Sequence, residues 1–396
     1  MEAHTLLKAV NTPFDGANAL VNAIDGARPA VTELRLSAFR THRGAAFPVG
    51  PLTLFAGTSG SGKSSVLQAY EALARLGAGD DLATAFPDPA GCVPEWAAAD
   101  GQGRRGFRIG CTVGGPVGPV RLDLAVQAEP ELRIVGERLT CAGQTLLSTA
   151  LRDPGRSSVQ AAWHTAGSVP VTRAPLPDDL LGTALLPLRV AGKTEGQLLV
   201  LAAAEQVVVA LRSVFACDPQ PQVMRKPVAT GEGRLHRSCG NLAEVLHRTR
   251  SQCAKRHARL AAAARVGCAG EVADLAVEEL ADGTVRALLA RGGRRGATPV
   301  GRLGEGELRY LALALVLLTG PGVLAMEQVA EVPAAYQSLT VLADGFDRCL
   351  DPRQARELVS LAAEMSARGH VRLVGAVADA SFARGLDGVT VVDLVP

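Results

Sequence analysis

Between residues 52 and 76 an apolar run, Leu52 to Ala56, passes through Gly57-Thr58-Ser59-Gly60-Ser61-Gly62-Lys63-Ser64 into a segment with Val66, Leu67, Tyr70, Leu73 and Leu76 at helical spacing. A glycine loop ending in lysine and serine, set between a strand and a helix, satisfies GxxxxGK(S/T). The glycines let successive backbone N–H groups converge on one point, the helix presents its positive end there, and Lys63 adds a full charge. Such a point suits the β- and γ-phosphate oxygens of a nucleotide, with the Ser64 hydroxyl as a ligand for Mg²⁺. Gly57, Thr58, Ser59, Gly60, Ser61, Gly62, Lys63, Ser64 and Ser65 are therefore candidate binding residues. The alternative is a Gly/Ser turn that fits the pattern by chance, which Lys63 and the flanking elements argue against.

Composition removes several other classes. With 41 Lys and Arg against 39 Asp and Glu the net charge is +2, so no global field favours nucleic acid or a membrane surface. The first twenty residues lack a basic segment followed by an unbroken apolar one, which argues against a secretory signal. The apolar runs "LLVLAAAEQVVVAL" and "YLALALVLLTGPGVLAM" are interrupted and do not read as membrane spans, so a cytoplasmic chain is expected. The 8 cysteines are scattered, with no CxxC pair, and read as buried reduced thiols rather than a zinc site. GxSxG and HExxH are absent from the sequence, as is any convincing Ser/His/Asp grouping.

Along the chain, residues 1–30 form an extension, and 31–396 read as one head. Within it, 31–140 holds the glycine loop and a β-rich subdomain, with "GFRIGCTV" and "VRLDLAVQ" alternating in polarity. Residues 141–300 form an inserted region: 141–195 is broken by Pro and Gly, 195–216 and 241–265 look helical, and "LAVEELADGTVRALLARGG" reads as a hairpin turning at Asp282-Gly283. From 301 to 396 the pattern is helix, strand, helix, strand.

That last part carries two further motifs. "SLTVLADGFDRCLD" puts an apolar strand before Asp344, where a carboxylate can hold Mg²⁺ through water; an ordinary Asp-Gly turn is the alternative. "RLGEGELRYLALALVLL" opens an apolar helix with a glycine turn, and its Glu305 and Glu307 would suit a helix N-terminus in any case.

Taken together these residues resemble a known set. "LGEGE" looks like the signature of ABC-type ATPases, "DGFDRCLD" is similar to the run joining their Walker B strand to the D-loop, and Phe39-Arg40 ahead of "PLTLFAGTSGSGKSS" resembles the opening of RecF-like and SMC-like heads. The resemblance spans residues 32 to 380 with a poorly matched middle, and is nearest to the bacterial AAA family of ABC-type ATP-binding proteins. It implies an α/β P-loop NTPase fold: a mixed central sheet with helices on both faces, an antiparallel β subdomain and a helical insertion. It also implies ATP and Mg²⁺ as ligands, with Ser64 and Asp344 on the metal. Gly304, Glu305, Gly306 and Glu307 would close over the γ-phosphate of a second copy, and Asp351 would be the D-loop aspartate. The implied assembly is a nucleotide-dependent homodimer that controls a protein partner.

The sequence departs from that family at the chemistry. Gly345 stands where the water-polarising glutamate belongs, Gly304 replaces the signature serine, and "LVGAVADA" has no histidine, His370 lying before that strand. Nineteen extra residues, Thr319 to Gln337, also separate signature and Walker B. ATP binding with slow or absent hydrolysis is the expectation, with Lys63, Asp344 and Asp347 as catalytic candidates and Glu327 as a substitute carboxylate. A nucleotide-gated scaffold that does not hydrolyse ATP is the alternative. A small-molecule kinase would leave the 302–318 and 344–351 motifs unexplained, and a transporter subunit the long middle. The basic segment 247–260 is the one candidate for nucleic acid; its arginines wrap around the helix without interleaved aromatics, as a solvated face would.

Overall fold

The computed structural model describes residues 28–166, 170–292, 296–326 and 338–395, so all but the last three residues of the 1–30 extension lie outside it. Strands β1 (Ala30–Phe39) and β2 (His42–Pro48) form a hairpin, and β3 (Leu52–Ala56) runs into the glycine loop and helix α1 (Lys63–Ala78). Next come β4 (Arg105–Gly114), β5 (Val120–Glu129), β6 (Arg133–Cys141), β7 (Gln144–Ala150), β8 (Ser158–His164) and β9 (Val171–Pro177). With the hairpin they make an eight-stranded sheet in the order β2-β1-β4-β5-β6-β7-β8-β9, antiparallel throughout. The alternation is visible in β5, where Val120, Leu122, Leu124 and Val126 are buried while Arg121 is exposed.

This sheet continues through the stretch 141–195 that sequence patterning leaves unread. The reason is local: β9, "VTRAPLP", carries two prolines and is the edge strand, where missing N–H donors are tolerated.

Helix α2 (Glu195–Arg212) ends one residue before β10 (Val214–Cys217), so the expected helix 195–216 is a helix and a strand. Ser213 makes the break, its hydroxyl donating to Val209 O at 2.8 Å. After β11 (Val228–Ala229), the expected helix 241–265 is two helices, α3 (Leu242–Gln252) and α4 (Ala254–Gly267), parted at Cys253, which has φ −149°. Strands β12 (Asp274–Glu279) and β13 (Thr284–Ala290) form the expected hairpin with Gly283 at φ +78°, and β14 (Ala297–Pro299) adds to β13. Then follow α5 (Glu305–Leu318), β15 (Leu339–Ala343), α6 (Pro352–Ala367), β16 (Val371–Val377) and β17 (Thr390–Asp393).

The central sheet is five-stranded, in the order β10-β15-β16-β3-β17. Every pairing in it is parallel, so the expected mixture of strand directions is divided between sheets rather than found within this one. Parallel neighbours need a crossover, and α6 between β15 and β16 is one. Helices cover both faces: Phe55 of β3 joins a core with α1, α2 and the eight-stranded sheet, while Leu52, Leu54 and Ala56 join one with α5 and α6. The α/β class expected from the sequence is the one observed.

Candidate functional site

The glycine loop leaves β3 at the carboxyl edge of the central sheet, flanked by β16 and β17. Gly57, Gly60 and Gly62 have φ of +152°, +86° and +92°, conformations an L side chain rarely takes. Close approach adds to this, because a Cβ on Gly57 would lie 2.4 Å from Leu394 O and one on Gly62 2.5 Å from His42 Nε2. Thr58, Ser59 and Gly60 are exposed, whereas Ser61 and Ser65 are buried. Lys63 opens α1 and folds back, its Nζ donating to Gly57 O at 2.6 Å and Thr58 O at 2.7 Å. The Ser64 hydroxyl donates to Asp344 Oδ1 at 3.0 Å.

Asp344 follows β15, all five of whose residues are buried, as a fully enclosed parallel strand requires. Gly345 has φ +59°, and its carbonyl accepts from Arg309 Nη2 at 2.9 Å. Asp347 Oδ2 accepts the Ala378 N–H at 2.8 Å, so this carboxylate is engaged in tying the turn to the end of β16.

The motif at α5 lies in a second group. Glu307 Oε2 accepts from Gly304 N at 2.9 Å and its Oε1 from Ala269 N at 2.7 Å, so both oxygens hold backbone at the helix start. Glu305 meets the Cys349 thiol at 3.7 Å, and a Cβ on Gly306 would lie 2.2 Å from Cys349 O. Asp351 caps α6 by accepting from Gln354 N at 2.8 Å, and Gln354 Nε2 donates to Gly267 O at 2.7 Å. The structure thus brings Ser64 and Asp344 together, keeps Lys63 on the carbonyls of the glycine loop, and separately joins Gly304–Glu307 to the turn that ends in Asp351. Glu327 lies outside the described residues. His370 bonds Arg28 through Nδ1 at 3.0 Å, at the end of β16 opposite Val377; burial, then the charge of Arg28, hold its pKa below the usual value.

Three side chains here escape motif reading. His42 Nε2 sits 3.1 Å from Gly62 O. Arg309 is buried in α5 and donates from Nη1 to Pro219 O at 2.6 Å; burial first, then the nearby Arg348 charge, lowers its pKa. A lone charge in "LRYLALALVLL" is the signal that could have drawn attention to it. Asp218 lines, with Glu71, Arg237, Asp344 and Arg348, a cavity of about 100 Å³ beside the Ser64–Asp344 pair.

The donor set fits the expected ligands. A hydroxyl and a carboxylate are hard oxygen donors, and Mg²⁺ takes few protein ligands, completing its shell with phosphate oxygens and water. The basic segment is largely committed: Arg248 donates to Glu232 O, Arg256 to Leu318 O and Arg259 to Glu364. No helix among the described residues is long and apolar enough to cross a membrane.

Strand, glycine loop, helix, and the hydroxyl–carboxylate pair at the sheet's carboxyl edge define the class, a P-loop α/β head. No protein-family model and no curated protein matches the chain. Among solved structures it is similar to an SMC head bound to the C-winged helix domain of ScpA, at 13% identity over 89% of this chain and 92% of that one, with a TM-score of 0.49. It is also similar to the SMC head domain from Thermotoga maritima, at 13% identity over 92% and 95% of the two chains (TM-score 0.42). A third is the Smc head domain with an extended coiled coil bound to the C-terminal domain of ScpA derived from Pyrococcus furiosus, at 11% identity over 93% and 94% (TM-score 0.47).

Proposed function

We propose that this chain is an ABC/RecF-like ATP-binding head that takes ATP with Mg²⁺ on Gly57–Ser65, pairs head to tail with a second copy around the nucleotide, and through that pairing controls a protein partner. The observation that carries the reading is the 3.0 Å bond between Ser64 and Asp344, which joins two motifs 280 residues apart at one point. Lys63 would exchange its two carbonyl acceptors for phosphate oxygens, and the loop N–H groups and the start of α1 would hold the phosphate chain. Mg²⁺ held by Ser64 and Asp344 supplies charge neutralisation at the phosphates. Gly304–Glu307 make their contacts with Ala269 and the 349–354 turn rather than with the glycine loop, which leaves the start of α5 available to a second copy's nucleotide.

Gly345 bears on turnover. Without a glutamate there, general-base assistance worth about 10² to 10⁴ in rate must come from elsewhere or be lost, so slow hydrolysis is the leading reading and a non-hydrolysing scaffold the second. The test is size-exclusion chromatography with light scattering, with and without ATP and Mg²⁺. The wild type is expected to shift from monomer to dimer and Lys63→Ala to stay monomeric and bind no nucleotide; a wild type that remains monomeric at saturating ATP refutes the head-to-tail arrangement.

A further inference from the structure

We infer that Asp218 is the carboxylate that orients and deprotonates the attacking water, standing in for the missing side chain at 345; this rests on the ATP-binding reading above. The placement follows from the sheet. Strands β10 and β15 are parallel neighbours with Cys217 beside Ala343, so the next residues at the carboxyl edge are Asp218 and Asp344. Both carboxylates line the one cavity of about 100 Å³, next to the serine that Asp344 binds. A neighbouring strand therefore delivers an acidic side chain beside Asp344, where Gly345 has no side chain to offer.

The other carboxylates near this point are already engaged. Asp344 Oδ1 holds the Ser64 hydroxyl, Asp347 Oδ2 holds the Ala378 N–H, and Glu71 pairs with both Arg75 and Arg237. Asp218 differs: among the described residues no donor hydrogen-bonds its carboxylate, and its ion-pair partner is Arg309 Nη1 at 3.9 Å. That guanidinium is itself held by Pro219 O and Gly345 O. The Asp218 backbone is fixed, its N–H donating to Arg237 O at 2.9 Å, so the side chain is positioned without being spent. At 35% side-chain exposure it is reachable by water from the cavity.

In the step this allows, a water oxygen forms a bond to the γ-phosphorus while the bond from that phosphorus to the β,γ-bridging oxygen breaks and its electron pair stays on ADP. One water proton passes to the Asp218 carboxylate and from there to solvent, leaving ADP and inorganic phosphate.

The experiment compares wild type, Asp218→Asn, Asp218→Glu and Lys63→Ala for ATP binding by equilibrium dialysis with Mg²⁺, for the identity of the bound nucleotide over time in a single turnover, and for the lifetime of the ATP-dependent dimer. Asp218→Asn is expected to bind ATP within about threefold of wild type, to cleave it about 100-fold more slowly, and to retain ATP and the dimer for longer, with Asp218→Glu recovering part of the rate. Cleavage by Asp218→Asn within about threefold of wild type overturns the assignment. So does loss of ATP binding together with cleavage, which makes Asp218 a metal-holding or structural residue, and so does a wild type that binds ATP without cleaving it above the Lys63→Ala background. A wild type that binds no ATP refutes the underlying reading of the site, a result distinct from these.

Discussion

Lys63 and Glu244 each spend a charge on nearby backbone, with opposite consequences. The Lys63 ammonium is held by the carbonyls of Gly57 and Thr58, so the phosphate proposed for this loop would have to displace two charge-assisted bonds. Glu244 has no such exchange to make. Burial alone would raise its pKa, but Asn241 Nδ2 at 2.9 Å and the N–H groups of Gly233 at 2.6 Å and Gly231 at 2.8 Å outweigh that and hold it below the usual glutamate value. A carboxyl with a lowered pKa in the fold contributes stability that is complete above its ordinary range and is lost as pH falls through the lowered value. Glu244→Gln is therefore expected to melt below wild type at neutral pH by an amount that shrinks as acid is added. Thermal melts from pH 7 down to pH 3 check this; a gap that widens in acid contradicts it.

Helix α5 and the 345–351 turn share a seam with no room to spare. A Cβ at Gly306 would meet the Cys349 carbonyl at 2.2 Å, and backbone cannot swing aside as a side chain can. Gly306→Ala is expected to cost about 1–3 kcal/mol by overpacking and to weaken ATP-dependent dimerisation while monomer ATP binding persists; denaturant melts and light scattering measure the two effects separately. Several elements were legible in the sequence because their signals are local: the glycine loop, the apolar strand before Asp344, the periodic helix 305–318 and the Asp-Gly hairpin each sit within a short window. What escaped was set by distant partners. Val214–Cys217 looks like the tail of a helix until β15 pairs with it, and β9 keeps its two prolines because it lies at the sheet edge, with β8 as its partner. The neighbourhood of Asp218 and Asp344 depends on strand order, which no local pattern encodes.

Over the whole molecule, two cores lie on opposite faces of the central sheet and β3 contributes to both. A ligand bound at the end of β3 is therefore coupled to the packing of both halves. ATP with Mg²⁺ at about 100 times its dissociation constant is expected to stabilise wild type by about 2.7 kcal/mol. Calorimetric melts with and without nucleotide test this, and the shift should vanish in Lys63→Ala. The order of the central sheet has a consequence for how the chain is made. Strand β3 is synthesised early, yet both of its sheet neighbours, β16 and β17, lie beyond residue 370. Until the ribosome has delivered those strands, the glycine loop has no sheet edge to leave from, and β15, which carries Asp344 at its end, has no strand joining it to β3. A nascent chain can thus complete its eight-stranded sheet long before Ser64 and Asp344 can be brought together, and a copy that stalls short of β16 carries the whole glycine motif without that pairing.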